Sequence, residues 1–534
     1  MKKLSPKAVG GLVVAIMCAA LVAEGGPGVA ASTTARAADK AHDRAERAMR
    51  DGEFETAEKL FRELLAKKPH DAGVRLGLGF ALLKQRKNQD AFDQGARVVA
   101  VEPMSSRAHA LIGSALLNSG DFRLSVEEFR TALSFNENET VAIAGLAMVD
   151  FYENRVAQSL EGLRRAVSLD PGEPDYHFNL GQVAARFERY AEAANSYERF
   201  LRIAPRADID RRARIRGLID FLRYLGTQND LFHAEGTPRN IIPFELVNNR
   251  PVIKVRINGS KDVLRFVVDT GAGMCVISDE AANKLGIKAV ARGGLARAIG
   301  GGGRFEIVYG FLQSLAIGEA RIERVPVYIR QFFNTQEPVD GYVGLSIISK
   351  YLASVDYGAR TMTLLRDDAR PLYDPTIPPP GVEIPIRTTS SGFWSGEVKL
   401  GGVEKPVNFI IDTGASVSVI SAALAERENM GRFARDARIT IYGAAGLSDN
   451  VQTLTLPHMA LGSHTRPNVY AAVLDMDPIN ETSGFEQTGI VGGNVLRNFR
   501  VTFDFRRAII RLEPVDNAPE DDARPKSPVV TSQS

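Results

Sequence analysis

Two copies of the tetrapeptide Asp-Thr-Gly-Ala, at residues 269–272 and 412–415, place a pair of carboxylates in matching surroundings. Each copy follows an apolar run and precedes Val-Ile-Ser. With an offset of 143, residues 254–278 and 397–421 align without a gap and are identical at ten of 25 positions. Two carboxylates held close together cannot both ionise, so such a pair shares a proton and offers an acid and a base side by side. We therefore expect the two aspartates to meet in one site.

Other segments recur in the same order around each aspartate. The surrounding chain consists of short alternating runs of Val and Ile separated by Gly and Asn, which is typical of β-hairpins. A Gly-rich segment begins near Gly300 and near Gly443, each of which lies 31 residues after its aspartate. Farther on, Gly-Tyr-Val-Gly at 341–344 matches Gly-Ile-Val-Gly at 489–492. The duplication therefore predicts two homologous β-lobes.

This ordered set of segments resembles the aspartic peptidases, in particular their retroviral-type, retropepsin-like branch. In that family the Asp-Thr-Gly loops carry the catalytic aspartates, Gly-rich flaps cover the cleft, and an apolar strand crosses behind each loop. The resemblance extends over both β-lobes. It implies an endopeptidase in which Asp269 and Asp412 activate a water molecule between them. The flap candidates that it implies are Gly300, Gly301, Tyr442 and Gly443.

The residues after each aspartate have supporting roles in this interpretation. Glycine permits a tight turn so that a backbone N–H reaches the carboxylate, and threonine is expected to hydrogen-bond across the two loops. The alanine that follows lacks a hydroxyl that could stabilise an ionised carboxylate, so we expect activity closer to neutral pH than in the digestive members of the family. These supporting residues are Thr270, Gly271, Ala272, Thr413, Gly414 and Ala415.

The region before the lobes, residues 38–207, has helical periodicity, and its prolines and small residues recur at a spacing of 34 residues. Small residues recur at two positions of each unit and allow two helices to approach closely, while proline ends the second helix. About five copies of the unit resemble the tetratricopeptide repeat, whose solenoid commonly binds a peptide or a protein partner on its concave face. A spacer with no specific ligand is the alternative. The prolines on this grid are Pro69, Pro103, Pro171 and Pro205.

Composition argues against several other classes of function. The chain has 66 Lys and Arg against 64 Asp and Glu, so no basic excess would attract nucleic acid or an anionic membrane. Its seven histidines are scattered without a metal-binding helix motif, so we expect no metal and no other cofactor. The Gly-rich segment at 300–303 is not followed by the Lys-Ser or Lys-Thr of a phosphate-binding loop.

The first residues have the pattern of an export signal. Lys2, Lys3 and Lys7 precede an apolar stretch at 8–22, and small-residue cleavage sites follow. This stretch of 15 residues is short for a membrane span, which needs about 20. We predict a periplasmic or secreted protein without a stable membrane span after cleavage, and an uncleaved N-terminal anchor is the alternative. Cys275 would then be the only cysteine of the mature chain, with a packing role.

The predicted fold class is multidomain, with an all-α tetratricopeptide solenoid followed by an all-β aspartic-peptidase fold in two homologous lobes. The predicted function is cleavage of a protein or peptide substrate, with a protein partner also considered for the solenoid. A catalytically inactive peptidase-fold binding protein, a tetratricopeptide adaptor and pairing of lobes between two chains stay open. The predicted segments are a signal peptide (1–37), the solenoid (38–207), a helical linker (208–237), lobe 1 (238–370), a Pro-rich linker (371–380), lobe 2 (381–514) and a disordered tail (515–534).

Overall fold

A computed structural model describes residues 30–206, 209–300, 304–333, 338–370, 380–516 and 529–530. Most of the predicted signal peptide, nearly all of the Pro-rich linker and the flap candidate Gly301 lie outside the described residues. In the part of the chain that is described, no helix is both long enough and apolar enough to cross a membrane.

The N-terminal region folds into successive helix pairs. Small residues lie where the helices of a pair cross, and Ala57, Ala91, Ser125, Ser159 and Ala193 are all fully buried there. The helices are α1 (Ala30–Asp51), α2 (Phe54–Lys67), α3 (Ala72–Lys84), α4 (Asn88–Val99), α5 (Ser106–Asn118), α6 (Phe122–Phe135), α7 (Thr140–Tyr152), α8 (Val156–Leu169), α9 (Pro174–Arg186), α10 (Tyr190–Ile203) and α11 (Ile209–Gly226). Helix α1 begins inside the range that was predicted as signal peptide.

The sheet of lobe 1 begins before the predicted start at residue 238, because strand β1 (His233–Glu235) pairs with β9 (Ala320–Arg330). A three-residue strand is too short to show a sequence pattern. The elements of lobe 1 are β1 (His233–Glu235), β2 (Arg239–Pro243), β3 (Glu245–Val247), β4 (Arg250–Ile257), β5 (Leu264–Val268), β6 (Cys275–Ser278), α12 (Asp279–Lys284), β7 (Ala289–Arg297), β8 (Arg304–Ile317), β9 (Ala320–Arg330), β10 (Gly341–Val343), α13 (Leu345–Ile348), β11 (Leu352–Asp356) and β12 (Thr361–Leu365), followed by a 3₁₀ turn (Asp367–Ala369).

Lobe 2 repeats the order of elements from β4 onwards, with an added 3₁₀ turn and an added helix, α15 (Asp477–Ser483). A short strand in the tail, which was predicted to be disordered, pairs in parallel with β17 (Ala434–Gly443). The elements are β13 (Val382–Thr388), β14 (Trp394–Leu400), β15 (Val407–Ile411), β16 (Ser418–Ser421), α14 (Ala422–Arg427), a 3₁₀ turn (Met430–Phe433), β17 (Ala434–Gly443), β18 (Gly446–Leu461), β19 (His464–Leu474), α15 (Asp477–Ser483), β20 (Gly489–Val491), α16 (Gly493–Leu496), β21 (Phe499–Asp504), β22 (Ile509–Pro514) and β23 (Val529–Val530).

A short apolar strand crosses behind the aspartate in each lobe. Strand β10 pairs in parallel with β5 and antiparallel with β6, and β20 makes the same two pairings with β15 and β16. The backbone N–H of Asp269 donates to Val343 O at 3.0 Å, and that of Asp412 donates to Val491 O at 3.0 Å. Each aspartate therefore begins its loop from a backbone position that a neighbouring strand fixes.

The two lobes share a sheet and a core within one chain. Strands β2, β12 and β11 of lobe 1 continue into β21, β22 and β13 of lobe 2, and β11 pairs antiparallel with β21. One buried apolar cluster includes residues of both lobes, such as Phe266 and Phe409. Burial of apolar surface is the main favourable contribution to folding, so a shared core holds the lobes as one body.

Candidate active site

The two Asp-Thr-Gly loops lock onto each other through their threonines. The backbone N–H of Thr270 donates to Thr413 Oγ1 at 3.1 Å, and the N–H of Thr413 donates to Thr270 Oγ1 at 3.0 Å. The Thr270 hydroxyl in turn donates to Ile411 O at 2.7 Å, and the Thr413 hydroxyl donates to Val268 O at 2.6 Å. Because both threonines are fully buried, these four reciprocal bonds fix the position of one loop relative to the other.

The carboxyl groups of Asp269 and Asp412 face each other across this contact. Both residues are completely buried. A Cβ added at Gly271 would lie 2.5 Å from the Asp412 carboxyl carbon, and one added at Gly414 would lie 2.5 Å from the Asp269 carboxyl carbon. Any side chain at either glycine would displace the opposite carboxyl group, so glycine is required at both positions for the close approach.

The surroundings of the two carboxyl groups are unequal. Asp412 Oδ1 accepts hydrogen bonds from the backbone N–H groups of Gly414 (2.7 Å) and Ala415 (3.1 Å), and Asp269 Oδ1 accepts one from Gly271 at 2.8 Å. Burial and the charge of Asp412 raise the pKa of Asp269 well above its usual range. The pair therefore retains a proton to a higher pH than two separate carboxyl groups would.

Two β-hairpins meet over these loops at the predicted flap positions. We call the hairpin of β7 and β8 flap 1 and the hairpin of β17 and β18 flap 2. The tips touch, since Ala445 N–H donates to Ile299 O at 3.2 Å and a Cβ at Gly300 would lie 2.8 Å from Gly443 N. Ile299 also packs in one apolar cluster with Ala415. Tyr442 lies beside Gly443 at the end of β17.

One arginine that the sequence analysis did not single out contacts both flaps. Arg330, at the end of β9, is 6% exposed, and its Nη2 donates to Ala444 O of flap 2 at 2.6 Å. Its guanidinium also stacks over the Phe305 ring of flap 1, with Cζ 3.8 Å from the ring centroid. Burial lowers the pKa of this side chain to about 10. No local spacing signals such a residue, because its contacts come from two other parts of the chain.

Two hairpin turns that the sequence analysis also missed brace the Asp-Thr-Gly loops from the opposite lobe. Asn249 Nδ2 of lobe 1 donates to Ser416 O at 3.1 Å. In lobe 2 the equivalent turn brings Ser391 O to 2.7 Å from the position that a Cβ on Gly273 would occupy. The offset of 143 relates the two turns approximately, so this repeat could have revealed them.

Cys275 follows the first loop and is buried. Its Sγ accepts a hydrogen bond from the Gly344 N–H at 3.3 Å, and burial raises the pKa of the thiol to about 11. A thiol with such a pKa is a poor nucleophile near neutral pH, which agrees with a packing role.

Comparison with known proteins finds a separate family match for the helical region and for the two lobes. The aspartyl protease family matches residues 253–347 and 396–495, and tetratricopeptide-repeat families match 48–115, 106–139 and 145–208. The chain carries an aspartyl protease region behind tetratricopeptide repeats. Both Asp-Thr-Gly loops and both flaps of the aspartyl protease region lie within the matched segments, and the predicted family resemblance and fold class are confirmed.

Individual relatives are distant. The type IV pilus assembly protein PilF of Pseudomonas aeruginosa is 24% identical over 135 residues, which cover 25% of this chain and 53% of that protein. The chain thus spans about half the length of this curated relative. Among solved structures, an aspartic proteinase from Irpex lacteus is similar over 52% of this chain and 98% of its own, with 14% identity and a TM-score of 0.37. A tetratricopeptide-repeat protein of Thermus thermophilus is similar over 34% of this chain and 98% of its own, with 19% identity and a TM-score of 0.30.

Proposed function

We propose that this protein is an aspartic endopeptidase that hydrolyses a protein or peptide through a water molecule activated between Asp269 and Asp412. The observation that carries the proposal is that the two carboxyl groups face each other on loops locked by Thr270 and Thr413. An isolated Asp-Thr-Gly turn forms its own backbone hydrogen bonds without a second carboxyl group nearby. A binding role alone would not require two facing carboxyl groups that share a proton.

The proposed reaction uses the two aspartates in complementary roles. We assign Asp412 as the ionised base, because two backbone N–H groups donate to its Oδ1, and Asp269 as the acid. Asp412 takes a proton from the water as its oxygen bonds to the peptide carbonyl carbon, and Asp269 gives its proton to the carbonyl oxygen. The resulting gem-diol collapses when Asp412 protonates the leaving nitrogen and Asp269 recovers a proton from a diol hydroxyl. The C–N bond breaks, and the dyad regains its starting state.

Access to this dyad requires movement of the flaps, because both aspartates are buried and the flap tips touch. A substrate must therefore separate the tips before its scissile bond reaches the water. The tetratricopeptide repeats are proposed to bind the substrate or a protein partner, as repeats of this type commonly do.

Single replacements Asp269→Asn and Asp412→Asn test the proposal. Each is expected to lower kcat/KM for a protein or peptide substrate by at least about 10²–10⁴-fold, since a positioned acid or base contributes that much. Circular dichroism should show a retained fold. Asp279→Asn, at an exposed aspartate on α12, serves as the matched control and should leave activity unchanged. Full activity in either dyad variant would contradict a single shared site, and no cleavage of a broad peptide library by the wild type would favour a binding protein or adaptor.

We also propose that the chain is exported to the cell envelope or beyond. The positively charged start and the apolar stretch at 8–22 support this location, and so does the similarity to a protein of type IV pilus assembly. Cell fractionation and N-terminal sequencing of the purified protein would test it. A full-length chain that starts at Met1 and is recovered only from the cytosol would contradict export.

A further inference from the structure

One continuous cavity joins the solenoid to the two lobes. Its volume is about 1860 Å³. Its walls come from the concave face of the helices, from Ala272–Met274 beside the dyad, from flap 1 and from the 390–393 turn. Pockets for small molecules measure about 300–1,000 Å³, so this space is larger than a small ligand would need. Its size and its reach from the repeats to the first Asp-Thr-Gly loop fit a polymeric ligand.

The solenoid partly closes around this cavity. Lys84 at the end of α3 places its Nζ 2.5 Å from Asp175 Oδ2 and 3.4 Å from Glu173 Oε1 at the start of α9, and all three residues line the cavity. The first helix pair also reaches the end of the last pair, since a Cβ at Gly52 would lie 2.8 Å from Pro205 Cβ. A space bounded in this way admits an extended chain more readily than a folded domain.

The cavity is positively charged although the whole chain is nearly neutral. Ten of its lining residues are Lys or Arg and five are Asp or Glu, against 66 and 64 in the full sequence. Arg186 on α9 is one of the lining residues, and among the described residues none forms a hydrogen bond or ion pair with its side chain. Burial lowers the pKa of its guanidinium more than the charge of Glu188 raises it. A carboxylate bound beside Arg186 would offset this loss of hydration, so the lining favours an acidic ligand.

Direct contacts connect the solenoid to the loop that carries Asp269. Gln182 Nε2 donates to Ser390 O at 2.8 Å, and the hydroxyls of Tyr152 and Ser390 lie 3.3 Å apart. The next residue, Ser391, packs against Gly273 of the first Asp-Thr-Gly loop. A chain bound on the concave face therefore continues towards the dyad without crossing a gap in the structure.

We propose that the solenoid and the lobes together bind one extended, acidic polypeptide segment, with its acidic residues on the concave face and its scissile bond between the flaps. This inference rests on the proposed endopeptidase function and specifies its substrate class. Affinity comes from the concave face, remote from the bond that breaks, while the dyad acts on whichever bond that attachment presents.

Binding can be measured without cleavage in the full-length Asp269→Asn protein. The probe is a fluorescein-labelled peptide of about 24 residues, which extends over about 80 Å, with Glu alternating with Ala, Leu and Tyr. Its counterpart has Lys in place of every Glu. We expect the acidic peptide to bind at least about tenfold more tightly than the basic one, a difference of about 1.4 kcal/mol. Equal affinity for the two peptides would overturn the proposal.

Arg186 variants localise the binding to the cavity. Arg186→Glu and the milder Arg186→Gln should weaken binding of the acidic peptide, by about tenfold or more for the charge reversal. Arg130→Glu changes an exposed arginine on α6 that does not line the cavity, and it should leave the affinity unchanged. An equal loss in the Arg130 and Arg186 variants would show diffuse charge attraction and overturn a defined channel.

Cleavage assays separate this inference from the endopeptidase function itself. The wild type is compared on the long acidic peptide and on a peptide of about eight residues, which reaches only about 27 Å. Arg186→Glu should raise KM for the long peptide about tenfold more than KM for the short one. Cleavage with no such difference would contradict substrate binding through the cavity but would still support the endopeptidase function. Binding that depends on Arg186 without any cleavage would support peptide binding in the cavity and refute the endopeptidase function.

Discussion

At the residue scale, two identical tetrapeptides occupy unequal electrostatic surroundings. Besides the extra backbone donor to Asp412, a fully buried arginine lies in lobe 1 at position 250, where lobe 2 has Phe393 at the offset of 143. The charge of Arg250 lowers the pKa of Asp269, but burial and the carboxylate of Asp412 act in the opposite direction and are larger. The duplicated sequence therefore supplies the pair of acids, and the unequal neighbours distinguish them.

The raised pKa of Asp269 predicts the alkaline limit of activity. Catalysis needs one proton on the dyad, which is lost only when the pH rises through the raised pKa, so activity should persist well above the usual range of an aspartate. Ala415→Ser adds a hydroxyl near Asp412 that can donate to the ionised dyad. A hydrogen bond to a charged group contributes about 1.5 kcal/mol, so the alkaline limb of the kcat/KM profile should move about one unit towards acid pH.

The matched control for this change is Ala422→Ser, at an exposed alanine at the start of α14. It should leave the pH profile of kcat/KM where the wild type has it. A wild-type optimum at strongly acidic pH, or a shift of the Ala415→Ser profile towards alkaline pH, would contradict this account of the missing hydroxyl.

At the element scale, the flaps are held from different sides. Flap 1 packs on α11, where the rings of Phe221 and Tyr309 stack with centroids 4.2 Å apart and Arg214 Nη1 donates to Leu295 O at 3.1 Å. The tip of flap 2 is held by Arg330 through Ala444 O. Separation of the flaps therefore need not be symmetrical, since flap 1 packs on α11 whereas the tip of flap 2 contacts the Arg330 side chain.

Arg330→Met should loosen the tip of flap 2. The change removes a charged donor and the stacking on Phe305, and a hydrogen bond to a charged group is worth about 1.5–3 kcal/mol, so opening should become about 10–100 times more frequent. Hydrogen exchange followed by mass spectrometry would show faster exchange at 441–447 but not in β21. Arg330→Lys should restore part of the protection.

An arginine on the same strand provides the control for the flap experiment. Arg321 on β9 has a 53% exposed side chain that pairs with Glu323. Arg321→Met should leave exchange at 441–447 unchanged. Unchanged exchange in the Arg330→Met protein would show that the contact to Ala444 does not hold the flap.

The sequence predicts the parts of this site that repeat locally. Strand, Asp-Thr-Gly turn and crossing strand recur at fixed offsets, because each copy must build the same backbone turn. The role of Arg330 could not be predicted from such repeats, because its partners lie tens of residues away in the sequence or belong to the other lobe. Helix α11 lies in the predicted helical linker, and it packs both on α10 and on β7. An amphipathic pattern shows that a face is buried but does not identify its partner.

At the scale of the whole molecule, the two lobes complete each other inside one chain. The shared sheet pairs Val355 of β11 with Val501 of β21, and the threonine contacts join residues 143 positions apart. A tether of about ten residues keeps the second lobe at a high effective concentration, in the millimolar range for short linkers. The solenoid contacts lobe 2 as well, where Phe122 and Phe485 have ring centroids 4.9 Å apart. Each dyad should therefore come from a single chain.

Mixing two inactive variants tests this arrangement. The Asp269→Asn and Asp412→Asn chains are unfolded together, refolded together and assayed for activity. The control is the same two chains refolded separately and mixed afterwards. Pairing within one chain leaves every site with one asparagine, so co-refolding should restore no activity. Exchange of lobes between chains would create sites that hold both aspartates, and activity would reappear. If Asp269 instead paired with Asp269 of a second chain, each variant alone would keep an intact Asp412 or Asp269 pair and would remain active before any mixing.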